Sequence, residues 1–497
     1  MMTTIGVAGA GVMGRGILQW ATAAADHVLA FDQQPGTANQ AKALIAEILE
    51  RSVNRGRTTP SERDTILSRI EVVEALDDLA NCDVVIEAIV ERLDAKRGLF
   101  AKLAGQLGEH ALFCTNTSSL SVTEIAAGLE VADRVAGLHF FNPVPVMKVA
   151  EIVAGELTAE TTMKRLSELI RRTDHYPVIC TDSPGFVINH AGRGLYTEGL
   201  RIEQEKVAAP VDIDRIVRDS LGLKMGPFEL LDLTGLDVSG EVLHQIYNGF
   251  QQEPRYRPTP IVERRMAAGL FGRKSGHGFY RYGPDGRIDP PEPEVPKAAP
   301  KSFSTCFAGE IDQVERLLCE AGMKKAGTDV ADFVLMAPLG EDTTTSALKS
   351  NVDPEKAVAV DTLFPNTLKK GGRITLMTCP ATRKDRVDAA HNAFSAAGLN
   401  VTVIADSPGF VGQRVAAMIV NTACEIAQQQ IASPADIEVG ATLGLGYPQG
   451  PLSLGDSIGA KRVLLILERL HASTGDPRYR PSPYLRRRAL LGLPLAN

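Results

Sequence analysis

Residues 4–14 read Thr4-Ile5-Gly6-Val7-Ala8-Gly9-Ala10-Gly11-Val12-Met13-Gly14. An apolar, strand-like run meets the pattern G-x-G-x-x-G, and residues 14–25 continue at helical spacing. Three glycines alone are a weak signal, but a strand before them and a helix after them are what a dinucleotide fingerprint requires. Gly9 would make the tight turn, Gly11 would let a pyrophosphate approach the backbone, and Gly14 would let the helix lie close to the strand. The phosphates would then rest on free N–H groups at the helix N-terminus, so Gly9, Gly11, Val12, Met13 and Gly14 are the candidate binding loop. Asp32 closes the next strand, beyond the helix that Gly14 opens. An acid there binds ribose hydroxyls and repels a 2′-phosphate, and Gln33 and Gln34 follow rather than an Arg. The expected cofactor is NAD.

Outward from this stretch, residues 1–180 alternate strands with amphipathic segments. Strand candidates are 5–8, 28–31, 84–88, 111–115, 135–138 and 178–180, with helical patterns at 14–25 and 42–55. That alternation predicts a doubly wound parallel sheet.

The chain also repeats itself. Ala405-Asp406-Ser407-Pro408-Gly409-Phe410-Val411 matches Thr181-Asp182-Ser183-Pro184-Gly185-Phe186-Val187 at a fixed offset. Gly226-Pro227 recurs as Gly450-Pro451, and Pro254-Arg255-Tyr256-Arg257-Pro258 as Pro477-Arg478-Tyr479-Arg480-Pro481. Each copy carries Ala, Leu and Ile at helical spacing. A shorter α/β region precedes the second copy; Asp332–Ala337 echoes Asp83–Ala88. Residues 283–300 hold six prolines and read as an extended linker. The expected domains are 1–182, 183–282, 301–404 and 405–497, with 283–300 between the copies.

Residues 137–151 read Gly137-Leu138-His139-Phe140-Phe141-Asn142-Pro143-Val144-Pro145-Val146-Met147-Lys148-Val149-Ala150-Glu151. A His at the end of a strand is well placed as a general base. The Pro-x-Pro is expected to send the chain away from the sheet, and Glu151 could return to orient the imidazole. This stretch resembles the signature of the 3-hydroxyacyl-CoA dehydrogenases. Asn116–Leu120, Ser183–Asn189, Gly226–Asp232 and Phe271–Tyr280 match the same family in the same order. The layout is similar to its long bacterial form. That resemblance implies an α/β Rossmann-type NAD-binding domain plus an all-α C-terminal domain, followed by a degenerate second copy of both. It implies NAD-dependent oxidation of a (3S)-3-hydroxyacyl-CoA, either 3-hydroxyadipyl-CoA or 3-hydroxybutyryl-CoA.

The resemblance also assigns roles. His139 takes the hydroxyl proton and Glu151 pairs with it. Ser118 and Asn142 bond near the reacting oxygen and the nicotinamide, and Asn189 holds the acyl carbonyl region. Glu91, Lys96 and Lys274 contact NAD, and Arg55 contacts coenzyme A. The second copy has Gln413 in place of Asn189, no His-Phe-Phe-Asn around 372–390 and no glycine fingerprint between 301 and 340, which leaves one active site per chain. The second helical copy would stand in for a partner's, at a pseudo-two-fold interface, and whether chains also form a homo-oligomer stays open. The competing readings are a β-hydroxyacid dehydrogenase with a catalytic Lys, and a non-catalytic homologue that binds NAD and acyl-CoA.

Composition narrows the partners. Of 497 residues, 23% are charged and 44% hydrophobic, the net charge is −7, and no block of like charge stands out, which argues against nucleic acid. No apolar run reaches membrane-spanning length and no signal-peptide pattern opens the chain. Seven cysteines lack any C-x-x-C pair, so neither a disulfide framework nor a metal site is expected. A cytoplasmic protein with reduced thiols follows from these features. Arg255, Arg257, Arg264, Arg265 and Arg486–Arg488 could meet coenzyme A phosphates, but an ion-pair network is the preferred reading.

Overall fold

The computed structural model describes residues 3–306 and 311–497. The chain divides into two compact units: the chain up to His190 with Gln429–Leu445, and Ala191–Gln428 with Gly446–Asn497.

Unit one is built on β1 (Thr4–Ala8), β2 (His27–Phe31), β3 (Ile70–Val72), β4 (Val84–Glu87), β5 (Leu112–Thr115), β6 (Val135–Phe140), β7 (Val149–Ala154) and β8 (Tyr176–Thr181). Their order is β3-β2-β1-β4-β5-β6-β7-β8. All six expected strands are present; β3 and β7 are additional to them. The sheet is not wholly parallel, because β7 runs antiparallel to β6. Residues 141–148 turn straight back instead of leaving the sheet, and so short a connection joins only antiparallel neighbours. Helix α1 (Val12–Ala24) buries Ile17, Leu18 and Ala21 in one core with Val7 and Val28. Lining both faces with helices requires the near-continuous apolar strands seen here.

Residues 429–445 complete this unit. Thr181 N–H donates to the Ile431 carbonyl at 2.9 Å, and the helix Pro434–Gly444 is capped by Ser433, which accepts from Asp436 N–H at 3.1 Å. A Cβ at Gly444 would stand 2.7 Å from the Ile188 side chain, so glycine permits the close approach.

Unit two carries a ribbon of β9 (Arg281–Gly283) with β10 (Gly286–Ile288), and a six-stranded sheet. The sheet uses β11 (Ser302–Thr305), β12 (Lys324–Lys325), β13 (Val334–Met336), β14 (Ala357–Val360), β15 (Arg373–Thr378) and β16 (Asn400–Ile404), in the order β12-β11-β13-β14-β15-β16. The stretch expected as an extended linker is held to this unit along its length. Its first residues form the ribbon, and the rest is fastened down: Arg215 donates to the Pro290 carbonyl at 2.6 Å, Arg373 to Glu292 at 2.6 Å, and Asn392 to the Pro296 carbonyl at 3.1 Å. Prolines cannot donate, but their carbonyls accept, and side chains of this unit use them.

Within unit two the helices Arg193–Gln204 and Val411–Gln428 touch backbone to backbone; a Cβ at Gly194 would lie 2.6 Å from the Met418 carbonyl oxygen. Arg414, 1% exposed, is held by Glu198 and Glu205 at 2.7 Å each, Ser407 at 2.8 Å and the Tyr479 hydroxyl at 2.9 Å. Arg255 pairs with Glu425 at 2.7 Å and donates to the Arg480 carbonyl, while Arg478 donates to the Arg257 carbonyl. Arg486 pairs with Glu468, and Arg265 bonds the Gly278 carbonyl and lies over Phe279. Arg255, Arg265, Arg478 and Arg486 thus serve internal pairing.

Candidate active site

The turn after β1 has the geometry the glycines foretold. Gly9 has φ +100°, and a Cβ there would meet the Ala88 backbone at 2.6 Å. A Cβ at Gly14 would meet the Gly9 carbonyl oxygen at 1.8 Å. At Gly11 nothing lies within 4 Å, and Val12 is 62% exposed, so the start of α1 opens onto free space. Gly11 caps α1 without a side chain, and the first turn holds no acid, so its N–H groups remain available for an anion. Met13 is half-buried. Asp32 accepts from Ala10 N–H at 2.7 Å and from Gln34 N–H at 2.8 Å, which ties the acid to the loop it serves. These residues fit a dinucleotide.

A second cluster lies where β4 and β5 end. Glu87 is fully buried; it accepts from Lys96 at 2.6 Å, from the Thr115 hydroxyl at 2.7 Å and from Ile89 N–H at 2.7 Å. Lys96 also reaches Glu91 at 3.1 Å. Glu91 in turn accepts from the Thr117 hydroxyl at 2.6 Å, Ser118 N–H at 3.0 Å and the Ser119 hydroxyl at 2.8 Å. Burial pushes the Glu91 carboxyl up, but Lys96 and the two hydroxyls outweigh it and hold it below its ordinary value. Lys96 is only 1% exposed, so it faces its two carboxylates rather than open solvent. Sequence reading missed Glu87, although an acid closing the run Val84-Val85-Ile86 was a signal of its role.

The third group centres on β6 and β7. Their antiparallel register sets His139 directly opposite Glu151. His139 Nδ1 lies 2.7 Å from Glu151 Oε2. A carboxylate oxygen accepts, so Nδ1 carries the proton and the lone pair of the neutral ring lies on Nε2. The other Glu151 oxygen accepts from Val187 N–H at 2.9 Å and Ile188 N–H at 2.8 Å. His139 is 5% exposed, with its ring 4.5 Å from Phe141 and 5.7 Å from Phe186. Asn116 accepts from Phe140 N–H at 2.9 Å and fixes the end of β6. Ser118 is half-buried, Asn142 is exposed on the turn after β6, and Asn189 is half-buried in the helix Ile188–Ala191.

Arg55 is exposed at the end of the helix Thr37–Asn54. Lys274 belongs to unit two, where it pairs with Asp237.

The second sheet has an antiparallel strand pair of its own. Strand β15 stands where the repeat carries β7, and β14 runs antiparallel beside it as β6 does beside β7. Asp361 N–H donates to the Thr375 carbonyl, which puts Asp361 opposite Thr375, the counterpart of Glu151 at the offset of the repeat. Asp361 is 5% exposed and accepts from Gln413 at 3.0 Å. Burial pushes its carboxyl up to about 6, against the bonds from Gln413 and Leu363 N–H.

Residues 4–183 match the family described as "3-hydroxyacyl-CoA dehydrogenase, NAD binding domain". Residues 185–282 and 409–494 match "3-hydroxyacyl-CoA dehydrogenase, C-terminal domain". The chain is 37% identical over 490 residues to 3-hydroxyadipyl-CoA dehydrogenase of Escherichia coli (strain K12), covering 98% of both chains. It is 37% identical over 276 residues to a probable 3-hydroxybutyryl-CoA dehydrogenase of Bacillus subtilis (strain 168), covering 56% of this chain and 96% of that one. The crystal structure titled as 3-hydroxybutyryl-CoA dehydrogenase from Escherichia coli K12 superposes with a TM-score of 0.85 at 35% identity, covering 99% of each chain. The glycine cradle thus sits in an NAD-binding domain, and this chain belongs to the 3-hydroxyacyl-CoA dehydrogenase family.

Proposed function

We propose that this chain oxidises the 3-hydroxyl of (3S)-3-hydroxyacyl-CoA thioesters to the 3-oxo form with NAD, using His139 as general base. The observation that carries this reading is the 2.7 Å contact of His139 Nδ1 with Glu151, which leaves Nε2 free to take the hydroxyl proton. Bound NAD would supply the acceptor for the hydride of C3. Glu151 keeps the imidazole in the tautomer and orientation that catalysis needs, and its second oxygen is itself fixed by two N–H groups. Ser118 and Asn142 are assigned to the reacting oxygen, and Asn189 to the thioester carbonyl; donors there stabilise oxygens that gain negative charge. Glu91 orders residues 117–119 beside the cofactor, and Lys96 acts by holding Glu91. The family resemblance assigns Lys274 to NAD and Arg55 to coenzyme A.

The relatives' names give two substrate candidates, a 3-hydroxyadipyl and a 3-hydroxybutyryl thioester. The remaining chain, 301–404 with 405–497, is read as a degenerate second copy of domains 1–182 and 183–282. Asp182 and Asp406, equivalent positions of the repeat, support this: each accepts a backbone N–H at the start of a short helix of its own unit, from Thr123 at 2.8 Å and from Thr343 at 2.7 Å. Asp361 opposite Thr375 supplies no His–Glu pair, so one active site per chain follows.

NADH consumption with a panel of 3-oxoacyl-CoA thioesters, including acetoacetyl-CoA, and NAD reduction with 3-hydroxyadipyl-CoA and 3-hydroxybutyryl-CoA test the reading. Turnover with members of the panel is expected, and the ranking of kcat/KM assigns the substrate. Silence across the panel, with NADH still bound, overturns it.

A further inference from the structure

The geometry points to His175 as a positioning residue that pins the Asn142–Val144 turn from the face of the sheet opposite His139. This rests on the reading of Asn142 as a residue of the hydroxyacyl site. His175 stands just before β8 and is 6% exposed. Its Nε2 lies 2.9 Å from the Val144 carbonyl oxygen. A carbonyl only accepts, so Nε2 carries the proton. Burial lowers the affinity of this imidazole for a second proton, outweighing the Val144 bond that opposes it, and its pKa falls below the ordinary value.

The ring does not act alone. Its Nδ1 lies 3.3 Å from the Thr173 hydroxyl, which accepts from Trp20 Nε1–H at 3.1 Å. Trp20 and Phe140 rings lie 4.7 Å apart, and His175 stands edge-on to both at 6.3 and 6.2 Å. Successive strand residues face opposite sides, so Phe140 carries this cluster on one face while His139 presents the base on the other. The Val144 side chain is buried over Gly16 of α1, where a Cβ would come within 2.8 Å of it. One cluster therefore ties three things together: the helix that opens at the glycine loop, the end of β6, and the turn bearing Asn142. Such a turn, exposed at Asn142 and anchored at Val144, holds its amide in register only while the anchor holds.

Trp20 is the sole tryptophan of the chain and reports on the cluster directly. The test compares wild type, His175→Ala and His175→Gln; Gln keeps an N–H donor. Steady-state acetoacetyl-CoA reduction, NADH titration and Trp20 emission are measured on each. His175→Ala is expected to lose about tenfold in kcat/KM for the thioester, to keep NADH affinity within about twofold, and to shift Trp20 emission. His175→Gln is expected to recover most of the loss. Turnover by His175→Ala equal to wild type overturns the proposal. So does a matched loss of NADH affinity and turnover that Gln does not rescue, which marks a general structural role. Should His175→Ala fail to fold, His175→Leu takes its place, and Gln no better than Leu overturns the proposal. A wild type silent on the thioesters sinks the functional reading, whereas an active wild type with an indifferent His175 sinks this inference alone.

Discussion

Among single residues, the base is defined by what its two nitrogens face. His139 Nδ1 is committed to Glu151, so replacing the imidazole removes the proton acceptor on which the proposed role depends. His139→Gln is expected to lower kcat by about 10²–10⁴-fold while NADH binding persists; stopped-flow turnover beside NADH titration checks this. Glu151→Gln keeps the Val187 and Ile188 N–H bonds through its carbonyl and thereby presents its NH2 to Nδ1, which favours the wrong tautomer. It should therefore lose kcat with little change in Tm. Oxidation releases a proton, so the yield of NADH at equilibrium should rise with pH, as read by NADH absorbance.

Among the elements, the β1–α1 turn is the sharpest test. Gly14→Ala would drive a Cβ into the Gly9 carbonyl, a contact at 1.8 Å that rigid backbone cannot relieve. Loss of NADH affinity by at least about tenfold is expected, together with a lower Tm, because the helix must back away from the strand that aims it. The β6–β7 hairpin shows the limit of local reading. Both proline positions suggested departure, yet the residues between the strands make a turn and the ladder brings Glu151 back to His139. No neighbour of either side chain encodes that pairing; the register does.

Across the whole molecule, buried charge in unit two sets a pH dependence of its own. Asp361 has its folded pKa pushed up to about 6 from an ordinary 3.8, so the folded state holds this proton more tightly than the unfolded chain does. Its stabilising contribution is complete below about pH 4 and is lost as pH rises through about 6. Asp361→Asn removes that loss. It should raise stability at pH 8 by about 2–3 kcal/mol relative to wild type and narrow the gap near pH 4, as read by chemical denaturation at each pH. An opposite ranking at pH 8 would refute the raised pKa of this buried acid. Arg414 gives the complementary case. Replacing it by Met strands Glu198 and Glu205 without their cation and is expected to cost about 3–5 kcal/mol, seen as a lower unfolding midpoint.

The nucleotide fold, its cofactor and the family were legible in the linear chain. Those features are written in short runs whose backbone demands are local: glycines at a turn, an acid closing the next strand, alternating strands and helices. The repeat was legible too, because equal spacing needs no third dimension. What depends on register and burial came only with the folded chain. Folding paired His139 with Glu151, enclosed Lys96 between two acids, fastened the proline-rich stretch to its sheet, and set Asp361 opposite Thr375. Side chains that meet across strands are separated by loops whose length the contacts do not constrain, so their meeting is settled by the ladder and the core rather than by any neighbouring residue.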